Sequence, residues 1–265
     1  MDEQTSRPYE GQTFRYDGTR DAPRAHAIAV EKPINIIYGD TPYAVMMTSP
    51  ADLEDFVFGF SLTEGVVGGA TEIRAVEIAP QNDGIAASVV LTPDALRRHM
   101  ARRRNLSGRT SCGLCGVESF DQIPSASARV AGRAPDAAAV RSAIGVLAGA
   151  QPLFAATRAT HAAAWCSADG ATLIVREDVG RHNALDKTIG ACLRAALSPR
   201  DGFLLVTSRC SFEMVEKAAI FGAPALVSVS APTSLAIDRA QTLGVALIAV
   251  AREDNAILYV DGAGD

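Results

Sequence analysis

Apolar and polar positions follow two different rhythms along this chain. In the first, short apolar runs at 34–38 and 43–48 are separated by Gly39-Asp40-Thr41-Pro42, whose residue types favour a turn, so two strands are expected. Leu53, Phe56, Val57 and Phe60 then recur at i, i+3, i+4 and i+7, the buried face of a helix. Ser49-Pro50 supplies a cap and a first-turn proline for that helix, and Gly65 a stop. Runs at 73–79 and 85–91 flank Gln81-Asn82-Asp83-Gly84, a hairpin signal. Thr92-Pro93 opens a second helix that runs into Arg102, Arg103 and Arg104. Residues 105–134 are rich in Gly, Ser and polar types and carry no apolar period, which predicts a long loop.

The second rhythm begins near residue 135. Val140, Ile144 and Leu147 mark a helix, and runs at 161–166 and 171–176 surround the turn Ala168-Asp169-Gly170. Strand-like runs at 203–206, 225–229 and 245–250 then alternate with helical patterns at 212–221 and 234–243. Continuous apolar strands between helices of about ten residues indicate βαβ units and a sheet covered on both faces. The expected organisation is a disordered tail over 1–24, a smaller α+β domain over 25–134 that includes the loop, and an α/β domain over 135–265.

Composition narrows the class. The 265 residues are 48% hydrophobic and 21% charged, enough apolar material for a packed core, and the net charge of -5 argues against a general nucleic-acid binder. No apolar run reaches the ~18 residues of a membrane helix, and the polar start lacks the apolar stretch of a signal peptide. A cytoplasmic protein with no membrane or nucleic-acid partner is expected. Five cysteines, Cys112, Cys115, Cys166, Cys192 and Cys210, make an odd count with one close pair, a poor disulfide framework. Cys166 and Cys192 sit in apolar patterns and read as small buried hydrophobes.

The close pair lies in the loop as Ser111-Cys112-Gly113-Leu114-Cys115-Gly116. Three chemistries fit two thiols at this spacing. A structural zinc site wants a second pair or two histidines, and the other cysteines are isolated. Thioredoxin-like redox chemistry wants the motif at a helix start after a strand, whereas this one follows a basic helix and a Gly/Ser loop. Persulfide transfer wants a thiolate, which the positive field of Arg102, Arg103, Arg104 and Arg109 would favour, on a segment with glycine freedom.

The loops after the strands of the α/β half are small and polar. They are Glu177-Asp178-Val179-Gly180-Arg181-His182-Asn183, Thr207-Ser208-Arg209-Cys210-Ser211 and Ser230-Ala231-Pro232-Thr233-Ser234. Helix N-terminal amides with Ser, Thr and Arg nearby suit a phosphate-bearing ligand, although each hydroxyl alone also reads as a helix cap. Ligands in open α/β sheets bind beyond the strand C-termini. Arg181, His182, Asn183, Ser208, Arg209, Ser211 and Thr233 are the binding candidates. Asp186 follows His182 by four residues, a spacing that fits either general acid–base work or a surface ion pair.

These motifs, with His161-Ala162-Ala163-Ala164, the block Glu177-Asp178-Val179-Gly180-Arg181-His182-Asn183-Ala184-Leu185-Asp186-Lys187, Ser211-Phe212-Glu213-Met214-Val215-Glu216-Lys217-Ala218 and Ser230-Ala231-Pro232-Thr233, resemble the FdhD family of formate dehydrogenase accessory sulfurtransferases. The resemblance runs over nearly the whole chain after residue 25. It implies a maturation factor that takes persulfide sulfur from a cysteine desulfurase and passes it to the molybdenum (or tungsten) bis(guanine dinucleotide) cofactor of formate dehydrogenase. It makes Cys112 the persulfide carrier and Cys115 its supporting partner. It implies a homodimer with guanine-nucleotide sites, no permanently bound metal, and a C-terminal three-layer αβα sandwich like that of cytidine deaminase. The zinc deaminase signature itself is missing, since Ala162 and Ala163 follow His161 and no P-C-x-x-C follows. By position, the family's cofactor-binding stretch falls on Val250, Ala251, Arg252, Glu253, Asp254 and Asn255, where Glu253 and Asp254 add negative charge. The alternative function is a cofactor-binding chaperone without sulfur transfer.

Overall fold

A computed structural model describes residues 5–103, 126 and 128–262. The chain opens with β1 (Ser6–Gly11) and β2 (Arg24–Ala29), an antiparallel ribbon in which Tyr9 faces His26 and Arg7 faces Ile28. Within the span expected as a disordered tail, residues 6–11 are thus a paired strand. The ribbon is exposed along most of both strands, so its sequence needs no apolar alternation and shows none. Backbone pairing and the Arg15–Asp21 ion pair across the turn take the place of a buried face.

The second sheet has the order β4-β3-β6-β5. Strands β3 (Lys32–Tyr38) and β4 (Thr41–Thr48) form one hairpin, β5 (Ile73–Gln81) and β6 (Gly84–Leu91) another, and β3 pairs parallel with β6 at the centre. Helix α1 (Leu53–Thr63) turns Phe56, Val57 and Phe60 into the core, as its period required. It begins later than Ser49-Pro50 suggested. Ser49 is engaged elsewhere: its amide donates to Asp178 Oδ2 (2.9 Å), and its hydroxyl accepts from the Val179 amide (3.1 Å). Helix α2 (Pro93–Arg103) starts where expected, with Thr92 Oγ1 accepting from the Ala95 amide. Arg102 donates to the carbonyls of Glu64 and Gly65 and so closes the C-terminus of α1.

The third sheet has six strands in the order β12-β11-β10-β9-β7-β8. Its parallel centre is β9 (Gly202–Val206), β10 (Ala225–Ser228) and β11 (Ala246–Ala249), every residue of which is buried. Antiparallel β7 (His161–Ser167) links this centre to β8 (Thr172–Asp178). Helix α3 (Ala137–Leu147) packs on one face with Ala162, Phe203, Leu205 and Val227. Helices α5 (Arg181–Arg194), α6 (Phe212–Phe221) and α7 (Ser234–Leu243) cover the other. In this half of the chain, α4 (Pro152–Thr157) and the edge strand β12 (Ile257–Val260) went unread in the sequence.

The division drawn near residue 135 falls between α2 and α3, yet one core crosses it. Phe56 and Phe60 belong to the same buried cluster as Leu185, Ile189 and Met214. Helices α1 and α5 approach until their backbones nearly touch. A Cβ on Gly59 would stand 1.8 Å from the Asp186 carbonyl oxygen, and one on Gly190 1.8 Å from that of Asp55. Glycine on both helices is what permits this crossing.

Candidate functional site

Strands β8 to β11 end at one edge of the six-stranded sheet, and the loops beyond them are laced together. The Val229 amide donates to the Val206 carbonyl (2.9 Å), the Thr233 amide to Cys210 (3.0 Å), and the Val250 amide to Ser230 (3.1 Å). The Ser228 hydroxyl donates to the carbonyl of Ser208 (2.8 Å) and also to that of Ser230 (3.0 Å). Such stacking turns three loops into a rigid rim from which α5, α6 and α7 start.

The rim sorts the candidates. Asn183 is buried, and its amide donates to the Met47 carbonyl (2.7 Å) and to Asp178 Oδ1 (3.1 Å). Ser208 is buried, with its hydroxyl on the Arg209 carbonyl (3.1 Å). The Thr233 hydroxyl caps α7 by accepting from the Ala236 amide (3.3 Å). Those three side chains therefore build the rim. Arg181 and His182 open α5, Ser211 stands at the N-terminus of α6 with its hydroxyl donating to Glu213 (3.5 Å) and capping no helix amide, and Arg209 is exposed. Arg181 Nε and His182 Nε2 are both buried and have no hydrogen-bond partner among the described residues.

The stretch after β11 is a tight turn at the same edge. Val250 adopts a positive φ of 53°, and the Arg252 amide donates to the Asn255 carbonyl (2.7 Å). The Arg252 guanidinium donates to the carbonyls of Ala251 and Val229, which ties this turn to the loop after β10. Ala251 is buried, whereas Arg252, Glu253, Asp254 and Asn255 are exposed. Cys112, Cys115, Arg104 and Arg109 lie outside the described residues. The described chain on either side of that segment meets at one pocket of about 300 Å³, lined by Thr63, Glu64, Arg102, Ala126 and Ile220 among others.

The long block from Glu177 to Lys187 is mostly structural. Glu177 accepts from the amides of Leu153 (2.8 Å) and Phe154 (2.7 Å) and so caps α4. Asp178 and Lys187 form a fully buried ion pair (2.7 Å), with Thr48, the Ser49 amide, Gly180 and Asn183 filling the remaining acceptor sites of the carboxylate. Asp186 is buried and not the surface residue its spacing allowed. It accepts from Thr63 Oγ1 (2.8 Å) and from Lys217 Nζ (2.9 and 3.0 Å). Burial opposes the charge of Lys217, but Asp186 and Glu64 beside it hold its ammonium above the ordinary lysine value.

His182 Nε2 instead lies 3.0 Å from Glu213 Oε2, in the first turn of α6. Contact with His182 holds the Glu213 carboxyl below the usual glutamate range, against its partial burial. His161, at the start of β7, faces the same group of charges. Burial first, and then Arg181, push its imidazole below the ordinary value. Glu213 escaped the sequence reading because an acid two residues after a capping serine reads as a helix-dipole residue. Nothing in the chain pairs it with a histidine 31 positions upstream.

The remaining cysteines contrast with this charged rim. Cys166, Cys192 and Cys210 are buried, and desolvation pushes their thiols up to about 11, 12 and 12. Among the described residues no group of three or more His, Cys, Asp or Glu side chains could hold a metal ion, and no helix is long and apolar enough to cross a membrane.

Comparison with known proteins agrees with this arrangement. Residues 29–263 match the model of the FdhD/NarQ family. A Bordetella petrii protein named Sulfur carrier protein FdhD is 47% identical over 239 residues, covering 90% of this chain and 86% of that protein. A Xanthomonas axonopodis pv. citri protein of the same name is 43% identical over 251 residues, covering 92% and 88%. A crystal structure from Desulfotalea psychrophila, of a protein assigned as a formate dehydrogenase accessory protein, superposes with a TM-score of 0.77 over 97% of both chains at 27% identity. With the family model spanning nearly all of the chain and relatives this similar along its length, the chain belongs to the FdhD/NarQ family.

Proposed function

We propose that this chain is a sulfur carrier that accepts persulfide sulfur from a cysteine desulfurase and delivers it for the molybdenum (or tungsten) bis(guanine dinucleotide) cofactor of formate dehydrogenase. The observation that supports the reading is the state of the three described thiols. Cys166, Cys192 and Cys210 are buried, and desolvation pushes their thiols up to about 11–12, so they hold too little thiolate to attack a persulfide at neutral pH. Sulfur transfer therefore falls to Cys112 and Cys115.

The Cys112 thiolate attacks the terminal sulfur of the donor persulfide. An S–S bond forms on Cys112 and the donor thiolate leaves. Cys115 then attacks the inner sulfur, the terminal sulfur departs as hydrosulfide, and a Cys112–Cys115 disulfide remains for an external thiol to reduce. Arg181, His182, Ser211 and Arg209 at the rim, with the turn from Val250 to Asn255, would hold the guanine-nucleotide part of the cofactor. The unpaired Arg181 Nε is the feature that fits an anionic ligand. The cofactor is substrate here, and the sulfur ligand it receives is what the dehydrogenase needs for activity. A homodimer in the cytoplasm, with residues 135–265 shaped as a deaminase-like sandwich without deaminase chemistry, completes the reading.

Incubation with a cysteine desulfurase and cysteine, followed by peptide mass spectrometry, tests it. One added sulfur atom is expected on the peptide carrying Cys112, lost in Cys112→Ala together with activation of formate dehydrogenase. Full activation by Cys112→Ala, with no sulfur added to the wild-type peptide, would instead establish a chaperone that only binds cofactor.

A further inference from the structure

Six non-glycine residues adopt a positive φ among the described residues, and Val250, at 53°, is the β-branched one. Left-handed backbone crowds any Cβ, a branched one most, whereas glycine and asparagine accept it. Val250 directly follows β11, at the edge where the rim loops meet. Hydrogen bonds hold the turn in this form. The Val250 amide donates to the Ser230 carbonyl (3.1 Å), the Ala251 amide to that of Ser228 (3.1 Å), and the Arg252 amide to that of Asn255 (2.7 Å). Arg252 Nη1 is spent on the carbonyls of Val229 and Ala251. Strain of this kind persists only where the surroundings impose it.

The same bonds set a condition on binding. In this closed form the amides of residues 250–252 and Arg252 Nη1 already face carbonyls of the protein, so a phosphate that uses any of these donors has to displace a carbonyl. We propose that the turn from Val250 to Asn255 is a strained latch: left-handed Val250 raises the energy of the closed form, and a guanine nucleotide shifts the turn to an open form in which the Ala251 amide and the Arg252 guanidinium exchange carbonyl partners for phosphate oxygens. This rests on the reading that the rim holds that nucleotide. Valine at this position keeps the open form within reach. A residue at ease in left-handed backbone deepens the closed state, and the apparent affinity falls by the same factor.

The test compares Val250→Gly and Val250→Asn with Val250→Ala in the full chain, with GDP as the probe. All three lose the branched side chain, but glycine and asparagine accept left-handed backbone and alanine resists it. That preference corresponds to about tenfold in the ratio of closed to open turn. Relative to Val250→Ala, Val250→Gly is therefore expected to exchange its Ala251 amide hydrogen about tenfold more slowly without ligand. It should melt roughly 2–4 °C higher and bind GDP about tenfold more weakly. Val250→Asn should shift in the same directions. A residue that only held the site together would move melting temperature and affinity the same way. Circular dichroism confirms that each variant is folded. Equal GDP affinity in folded Val250→Gly and Val250→Ala overturns the latch, and so does equal exchange at Ala251. A lower melting temperature in Val250→Gly than in Val250→Ala overturns the strain. No GDP binding by the wild type overturns the nucleotide-site reading, and the opening by nucleotide with it.

Discussion

A single methyl group placed between α1 and α5 tests how the two parts of the molecule are joined. In Gly59→Ala the new Cβ would stand 1.8 Å from the Asp186 carbonyl oxygen, 2.6 Å from its carbon and 2.9 Å from the Gly190 nitrogen. All three are backbone atoms, so no rotamer change relieves the clash. Restoring van der Waals distance requires the helices to part by roughly 1.5 Å. Overpacking of this kind costs about 1–3 kcal/mol. The shift also pulls Asp186 from Thr63 Oγ1 (2.8 Å), leaving a buried carboxylate under-paired at about 1–3 kcal/mol more. A loss of at least about 3 kcal/mol is therefore expected, a large share of the roughly 5–15 kcal/mol that holds a domain folded. Urea unfolding followed by circular dichroism should show the midpoint falling by about 1 M at a slope near 3 kcal/mol per M. Gly145→Ala on α3 is the matched control. No atom lies within 4 Å of its Cβ, and the helix interior prefers alanine by about 0.5–1 kcal/mol, so the same substitution there should stabilise. Equal and small effects at the two sites would refute the close crossing.

Four further outcomes follow from the charged pairs and the buried thiols. Lys187→Met strands the Asp178 carboxylate in the core and should cost about 3–5 kcal/mol by urea unfolding, with much of that recovered in Asp178→Asn/Lys187→Met; a loss under 1 kcal/mol would contradict the burial of the pair. Glu213 has a carboxyl held below its unfolded value of 4.5, so it contributes stability above that pH, and the contribution is lost as pH falls through the lower folded value. The acid limb of the stability curve should accordingly be shallower in Glu213→Gln, and an unchanged limb would count against the His182 contact. Lys217 has the opposite sign. Its stabilisation is intact below the unfolded 10.5 and disappears as pH rises through the higher folded value, so alkaline unfolding should lose steepness in Lys217→Met. Cys166, Cys192 and Cys210 should resist iodoacetamide at pH 8 in the native protein and react after denaturation, as read by peptide mass spectrometry; native labelling of any of them would break the argument that assigns sulfur chemistry to Cys112 and Cys115.

Local signals were readable in the sequence, and long-range polar contacts were not. The period of Leu53, Phe56, Val57 and Phe60 located α1, and Gln81-Asn82-Asp83-Gly84 located the β5–β6 hairpin, because both depend on neighbours a few residues away. Ser49 misled for the same reason. As a local cap it fits, but its partner is Asp178, 129 residues on, which a cap rule cannot see. The ribbon of β1 and β2 was missed because exposed pairing leaves no apolar trace. The Glu177–Lys187 block looked like a binding motif, and most of it is architecture. The end of β8 and helix α5 together have to meet β4, α1, α4 and α6, and each meeting places a buried polar group that needs a specific partner.

That architecture is also what links the ends of the molecule. His182 and Asp186 stand one turn apart on α5, and Glu213 and Lys217 one turn apart on α6, so the two helices face each other with two rungs. The outer rung, His182–Glu213, sits at the rim where the nucleotide is proposed to bind. The inner rung, Asp186–Lys217, continues to Thr63 (2.8 Å) and toward Glu64 (3.7 Å), and both of those residues line the pocket at which Arg102 and Ala126 meet. Each rung sets a carboxylate against a basic side chain at ion-pair distance, and the second is almost completely withdrawn from water. A change of charge at the rim is therefore weakly screened along the helices. If the rungs act together, Glu213→Gln and Lys217→Met will be non-additive in stability, with a coupling of about 0.5 kcal/mol or more in a double-mutant cycle. Strict additivity would mean that the two ends of the ladder are independent, and that the rim takes its shape from the stacked loops alone.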